Sequence, residues 1–176
     1  ANEMAAGAVG SKFKDLLEEI DVSSSECLNQ STDHPLSHCL ENGLRDDEAV
    51  FLESDCDEEL LITIPFHQPV RIQSICCRAP DDGRAPSSLK LFVNAVNLDF
   101  DSARDTPEAQ TLELSEEDVS STKPKDVMFV RFQNVSSLTI FIAGNQDGQE
   151  TTAITRLAII GEPIHKTNMS ELKKVG

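Results

Sequence analysis

From residue 60 onward, apolar side chains recur at every second position in short runs broken by turn residues, and a period of two commits this chain to β-structure. In "LLITIPF" (60–66), Leu60, Ile62 and Ile64 share one face while Leu61 and Thr63 take the other. Pro65 has no amide to donate, so this strand is expected to end there or to run along a sheet edge. "VRIQSICCR" (70–78) sets Val70, Ile72, Ser74 and Cys76 against Arg71, Gln73, Ile75 and Cys77. "SLKLFVNAV" (88–96) alternates Leu89, Leu91 and Val93 with Lys90, Phe92 and Asn94. "VMFVRFQNV" (127–135) puts Met128, Val130 and Phe132 on one face, "SLTIFIAG" (137–144) does the same with Leu138, Ile140 and Ile142, and "ITRLAIIG" (154–161) closes the series.

The connections carry turn chemistry. "PDDGRAP" and "NQDGQE" each hold an Asp-Gly pair, where glycine takes the positive φ that a tight turn demands. Ser115, three residues before Asp118, predicts a capping box and one helical turn. Most later connections are too short for helical crossovers, which predicts antiparallel pairing. Many short strands with few helices point to an all-β fold, a sandwich or barrel. Upstream, Phe13, Leu16, Leu17 and Ile20 recur at helical spacing, so a short N-terminal helix is expected, with Ser11 as its N-cap. Residues 1–10 read as a flexible lead or linker, and residues 11–176 as one domain. No internal repeat is visible.

Composition narrows function. Thirty-one Asp and Glu stand against fifteen Lys and Arg, a formal net charge of −16. Such a surface repels phosphate backbones and anionic membranes, so nucleic acid and membrane are not expected partners, whereas a basic protein is steered toward it. No stretch reaches the roughly 18 apolar residues of a membrane span, and the N-terminus lacks a basic segment followed by an apolar one. The expected compartment is the cytoplasm, with the nucleus as a second. The three N-x-S/T sequons, at Asn29, Asn134 and Asn168, then read as chance matches.

Five cysteines, Cys27, Cys39, Cys56, Cys76 and Cys77, form an odd and irregular set that predicts free thiols. Cys27, His34, His38 and Cys39 lack the paired spacing of a zinc site, and "DCDEE" lacks the alternating oxygens and glycine of a calcium loop. No metal or cofactor is expected. Cys76 and Cys77 adjoin on a strand, so one is expected in the core and the other outward. Cys56, among carboxylates, is expected to be a poor nucleophile. There is no G-x-S-x-G elbow, no phosphate-binding glycine loop and no C-x-x-C pair. His67 and His165 read as surface or structural residues, and no catalytic residue is assigned. With no Trp or Tyr, a stacking platform for sugars or bases is thin.

The densest feature is acidic. Asp46, Asp47 and Glu48 precede Glu53, Asp55, Asp57, Glu58 and Glu59, which run directly into the apolar strand at Leu60. Ser54, Asp55 and Asp57 are read as accepting hydrogen bonds from loop amides, with partner contact as a concurrent role.

Several phrases taken in order resemble the PITH domain: "ECLNQS" (26–31), "LESDCDEELLITIPF" (52–66), "VRFQNVSSLTIFIAGNQ" (130–146) and "TRLAIIGEP" (155–163). The resemblance covers about residue 20 to the C-terminus. It implies a jelly-roll-like antiparallel β-sandwich, similar to galactose-binding folds, and association with the proteasome, which the family's name records. The implied function is a non-enzymatic interaction module docking on the proteasome regulatory particle. Family members also form the C-terminal half of thioredoxin-like proteins, whose redox centre is a C-G-P-C motif in a separate domain. This sequence has no such motif, so the chain is expected to be either a stand-alone PITH protein or the regulatory half of a longer redox protein with a covalently linked thioredoxin domain. Protein-binding residues expected from the matched segments are Glu53, Ser54, Asp55, Asp57, Glu58, Asn134 and Asn145. Ligand binding at the open end of the sandwich follows from fold analogy alone.

Overall fold

The computed structural model describes residues 13–45 and 47–164. Ser11, Asp46, His165, Asn168 and the expected lead over residues 1–10 lie outside them. Ten strands follow in chain order: β1 (Lys14–Asp15), β2 (Glu26–Leu28), β3 (Leu52–Glu53), β4 (Leu60–Arg78), β5 (Ser88–Val93), β6 (Gln110–Glu113), β7 (Lys125–Asp126), β8 (Val135–Ile142), β9 (Ala153–Ile154) and β10 (Arg156–Pro163). Among the described residues three short helices join these strands: α1 (Ser37–Leu40), α2 (Phe100–Asp105) and α3 (Glu116–Ser120). Every strand pairing is antiparallel, in the order β1-β10-β4-β8-β5-β6, with β2 and β7 also paired to β4 and β3 paired to β9.

The sheet curls around one apolar core because β4 serves both layers. Its first half, Leu60 to Pro65, lies between β2 and β8, and its second half, Val70 to Arg78, runs beside β10. The turnover sits at Pro65–Val70, where the β8 register breaks. Pro65 therefore neither ends the strand nor marks an outer edge. It marks the bend, pairing with Ser137 while its carbonyl accepts the Asp21 amide. Leu60, Ile62, Ile64, Val70, Ile72, Leu89, Leu91, Leu138, Ile140 and Ile142 fill this core, as their alternation predicts. On the outer face, α2 lays Ala103 against Leu61, Phe92 and Phe141, so both faces of the sheet are buried there.

Three further expectations fail, each at an identifiable place in the fold. Ile160 pairs with Ser74 but Gly161 pairs with Ile72, so Gln73 is an extra residue that flips the face pattern of β4. Ile75 and Cys77 thereby join Val70 and Ile72 in the core, and Cys76 is buried on the other face, so neither thiol points to solvent. Gly161 is obligatory at this bulge, because a Cβ would stand 1.8 Å from the Arg71 carbonyl oxygen. Residues 127–135 are not one strand: Phe129–Arg131 form a 3-10 turn that exposes Met128 and Val130 and buries only Phe132 of the expected face. Phe13 to Ile20 form no α-helix. β1 is followed by a 3-10 turn at Leu17–Glu19, which still buries Leu16 and Ile20, while Phe13 packs edge-on against Phe129.

Candidate functional site at the acidic loop

The loop between β3 and β4 is held by three struts. The first is Asn29, which adopts φ 72° just after β2, a left-handed conformation that asparagine tolerates better than most residues. Its Oδ1 accepts the Cys56 amide at 3.1 Å, and its Nδ2 donates to Asp57 Oδ1 at 2.8 Å and to the Glu59 carbonyl at 2.7 Å. Asp57 Oδ1 also accepts the Glu59 amide, and the Asp55 amide donates to the Asn29 carbonyl.

The second strut is Ser54, which is buried and clasps Thr152. The Ser54 amide donates to the Thr152 carbonyl, Ser54 Oγ accepts the Thr152 amide at 2.8 Å, and Thr152 Oγ1 donates to the Glu58 carbonyl at 2.7 Å. Asn145 fixes the Thr152 loop in turn, its Nδ2 donating to the Gln149 and Thr151 carbonyls and its Oδ1 accepting the Gln149 amide.

The third strut is ionic. Glu53 Oε2 accepts Arg84 Nη1 at 2.9 Å and Thr151 Oγ1 at 2.6 Å. Arg84 also binds Asp82, and its guanidinium lies 5.0 Å from the centre of the Phe51 ring, which stacks on His34. The Arg84 contact holds the Asp82 carboxyl below the ordinary carboxylate value, and Asp82 and Glu53 keep Arg84 charged. Both Asp-Gly turns stand here. Gly83 has φ 90°, and a Cβ on it would strike the Asp147 side chain of the other turn at 2.5 Å. Further along, Glu59 Oε1 accepts Arg104 Nη2 at 2.6 Å.

Six of the seven residues expected from sequence thus gather at one corner: Glu53, Ser54, Asp55, Asp57, Glu58 and Asn145. Asn134 does not join them. It precedes β8 whereas Asn145 follows it, about 24 Å away along the eight residues of that strand, and its carbonyl accepts Asn94 Nδ2. Arg84 and Thr152 have no sequence signal of comparable strength, because their partners are distant along the chain, and Asn29, although inside the matched phrase "ECLNQS", has nothing beside it that marks it as a support of this loop. Of the three side chains expected to accept loop amides, Asp57 accepts that of Glu59 and Ser54 that of Thr152 in the neighbouring loop, whereas Asp55 accepts only the Cys56 thiol and the Cys56 amide goes to Asn29 instead. Asp55, Cys56 and Asp57 remain exposed, so six carboxylates (Glu53, Asp55, Asp57, Glu58, Glu59, Asp82) face two guanidiniums and the outer rim stays negative.

The thiols of Cys27, Cys39, Cys76 and Cys77 are buried, and burial pushes each one's pKa up, that of Cys27 to about 12. Thiols held protonated this way are weak nucleophiles. Among the described residues, no group of three or more His, Cys, Asp or Glu side chains is placed to hold a metal ion, and no helix is long and apolar enough to cross a membrane.

The sequence profile of the PITH domain matches residues 6–176. The chain belongs to the PITH domain family. Thioredoxin-like protein 1 of Schizosaccharomyces pombe is 38% identical over 170 residues, which cover 93% of this PITH domain chain and 56% of the yeast protein. PITH domain-containing protein 1 of Homo sapiens is 33% identical over 144 residues, 81% of this chain and 67% of that protein. The chain therefore spans just over half the length of the yeast relative and about two-thirds of the human one. Among solved structures, the family 32 carbohydrate-binding module of Clostridium perfringens NanJ, in complex with galactose, superposes with TM-score 0.57 at 10% identity, over 84% of this chain and 98% of that one. A fucolectin from striped bass serum gives TM-score 0.60 at 9% identity, over 87% of this chain and 50% of that one. At such identities the likeness is one of fold, and it places the PITH domain among jelly-roll-like, galactose-binding-type sandwiches.

Proposed function

We propose that this PITH domain is a non-enzymatic protein-interaction module that docks on the regulatory particle of the proteasome, in the cytoplasm and the nucleus, with the acidic corner as part of its docking surface. The observation that carries the reading is the family match over residues 6–176, since association with the proteasome is what the resemblance to that family implies. The corner supports it physically. Asp55 and Asp57 are presented on a loop that is already pinned, so little conformational entropy is lost on docking. A net charge of −16 steers basic surfaces toward the chain. The burial of four of the five thiols supports the absence of redox chemistry in this chain. The test is a pull-down from cell lysate with proteasome subunits read by mass spectrometry. Recovery of regulatory-particle subunits is expected, and their absence at low salt overturns the proposal.

A second reading makes this chain the regulatory half of a redox protein with a covalently linked thioredoxin domain. It is favoured by the yeast relative, which is named a thioredoxin-like protein and extends well beyond the matched region. The full reading frame decides it: an upstream Cys-Gly-Pro-Cys supports it, and a frame without one removes it.

A further inference from the structure

The acidic corner continues into a groove that nothing so far accounts for. Gln30 bridges to Ser54 of the acidic loop and also lines a cavity of about 780 Å³ between β2, α1 and the 3-10 turns at Leu17–Glu19 and Val22–Ser24. Its apolar lining comes from Leu17, Val22, Cys27, Pro35, Leu36 and Leu40. An open depression of this volume is on the scale of pockets that take a ligand or the side chains of a partner. The rim is distinctive. Glu18 and Glu26 are exposed, Glu41 is half-exposed, and among the described residues no Lys, Arg or His lines the cavity. Ser23, Ser25, Gln30, Ser37 and Asn42 complete the polar lining, so the charged groups on the described rim are all carboxylates over an aliphatic floor, which complements an aliphatic group with positive charge on either side. Among the described residues no aromatic side chain lines the cavity to stack a planar or sugar ring, and the three glutamates do not converge as metal ligands. The volume accommodates several leucine-sized side chains, the scale of the anchors an amphipathic segment lays into a groove.

We propose that this groove is the anchor of the docking surface, taking a short segment of a partner protein that carries two or three aliphatic side chains flanked by Lys or Arg. The inference rests on the reading of the chain as an interaction module and names the chemistry of what it binds. Half-buried Leu17 and Val22 form the accessible floor, backed from the core by Leu36 and Leu40, one helical turn apart at the entry and end of α1. Glu18, Glu26 and Glu41 pair with the flanking cations.

The test uses the whole chain and three labelled synthetic peptides: one with two leucines three residues apart between pairs of lysines, a copy with the lysines replaced by glutamates, and a copy with the leucines replaced by serines. Binding is followed by fluorescence anisotropy and located by backbone amide chemical shifts. The first peptide is expected to bind, to shift Leu17, Val22, Leu36 and Leu40, and to weaken about tenfold with the surface variant Glu26→Lys/Glu41→Lys. Three outcomes overturn the inference: no shift at those residues, equal binding of either control peptide, or a groove already covered by a second copy of the chain in sedimentation analysis. The proteasome pull-down with the same variant separates the two claims. If the variant loses the peptide yet recovers the proteasome undiminished, the groove is not the anchor and the interaction reading survives. If the wild-type chain binds the peptide but recovers no proteasome, the proteasome reading falls and the groove remains.

Discussion

Asn29 concentrates more of the acidic corner than any carboxylate in it. One side chain satisfies the Cys56 amide, the Glu59 carbonyl and the Asp57 carboxylate while its own backbone sits at φ 72°. Replacing it with alanine removes three hydrogen bonds worth about 1 kcal/mol each and adds a left-handed backbone cost of about 1 kcal/mol, so Asn29→Ala is expected to destabilise by about 4 kcal/mol. Asn29→Gly loses the same bonds but keeps the backbone freedom, and is expected to recover about 1 kcal/mol of that. Urea unfolding of the two variants checks the ordering, and equal midpoints would dismiss the backbone contribution. Gly161 is the second residue with no substitute. With a Cβ 1.8 Å from the Arg71 carbonyl, Gly161→Ala must displace the bulged strand, and a loss of about 3 kcal/mol or more in the same assay is expected.

At the scale of elements, α3 tests capping. Ser115 Oγ accepts the Asp118 amide and Asp118 Oδ2 accepts the Ser115 amide, so Ser115→Ala is expected to cost about 1 kcal/mol. That bond to the Ser115 amide, with Lys125 beside it, holds the Asp118 carboxyl below its ordinary value of 3.8. A carboxyl depressed in the folded state contributes stability that is present above its unfolded pKa and is lost as pH falls through the folded one. Melting temperature should therefore drop more steeply below about pH 4 in the wild type than in Asp118→Asn, and parallel pH profiles would refute the linkage. This capping box was legible from sequence because it is local, closed within three residues. The apolar alternation of Leu60–Ile64 and Leu138–Ile142 was legible because one face of each strand meets the core. Cys76, Met128, Val130 and Pro65 were misplaced because their positions depend on partners far along the chain: a bulge fixed by Gly161, a 3-10 turn whose Met128 amide bonds to Gln110, and a bend fixed by β8 and Asp21. In the acidic loop the carboxylates announced themselves, but the residues that organise them, Asn29, Arg84 and Thr152, come from other loops and carry no period.

The whole molecule carries a formal net charge of −16, so a docking role for the acidic corner must be separated from general charge and from stability. The struts make that separation. Glu53 is bound by Arg84 and Thr151 and is mostly buried, so Glu53→Lys breaks an ion pair and places two cations together, an expected loss of about 2 kcal/mol whether or not the corner touches a partner. Asp55 is different. It is exposed, and its carboxylate meets only the Cys56 thiol, at 3.9 Å. Glu58 is engaged in the corner through its backbone carbonyl. Asp55→Lys/Glu58→Lys therefore changes the local charge by four while leaving the struts in place. If the corner docks, this variant keeps the wild-type melting temperature but recovers less of the proteasome, and the deficit shrinks as salt rises and screens the interaction. A control reversal of two exposed acids elsewhere, Glu116 and Glu117 on α3, matches the change in net charge. Equal losses for the corner and control variants would assign the effect to bulk charge, and undiminished recovery by the corner variant would take the acidic loop out of the interface.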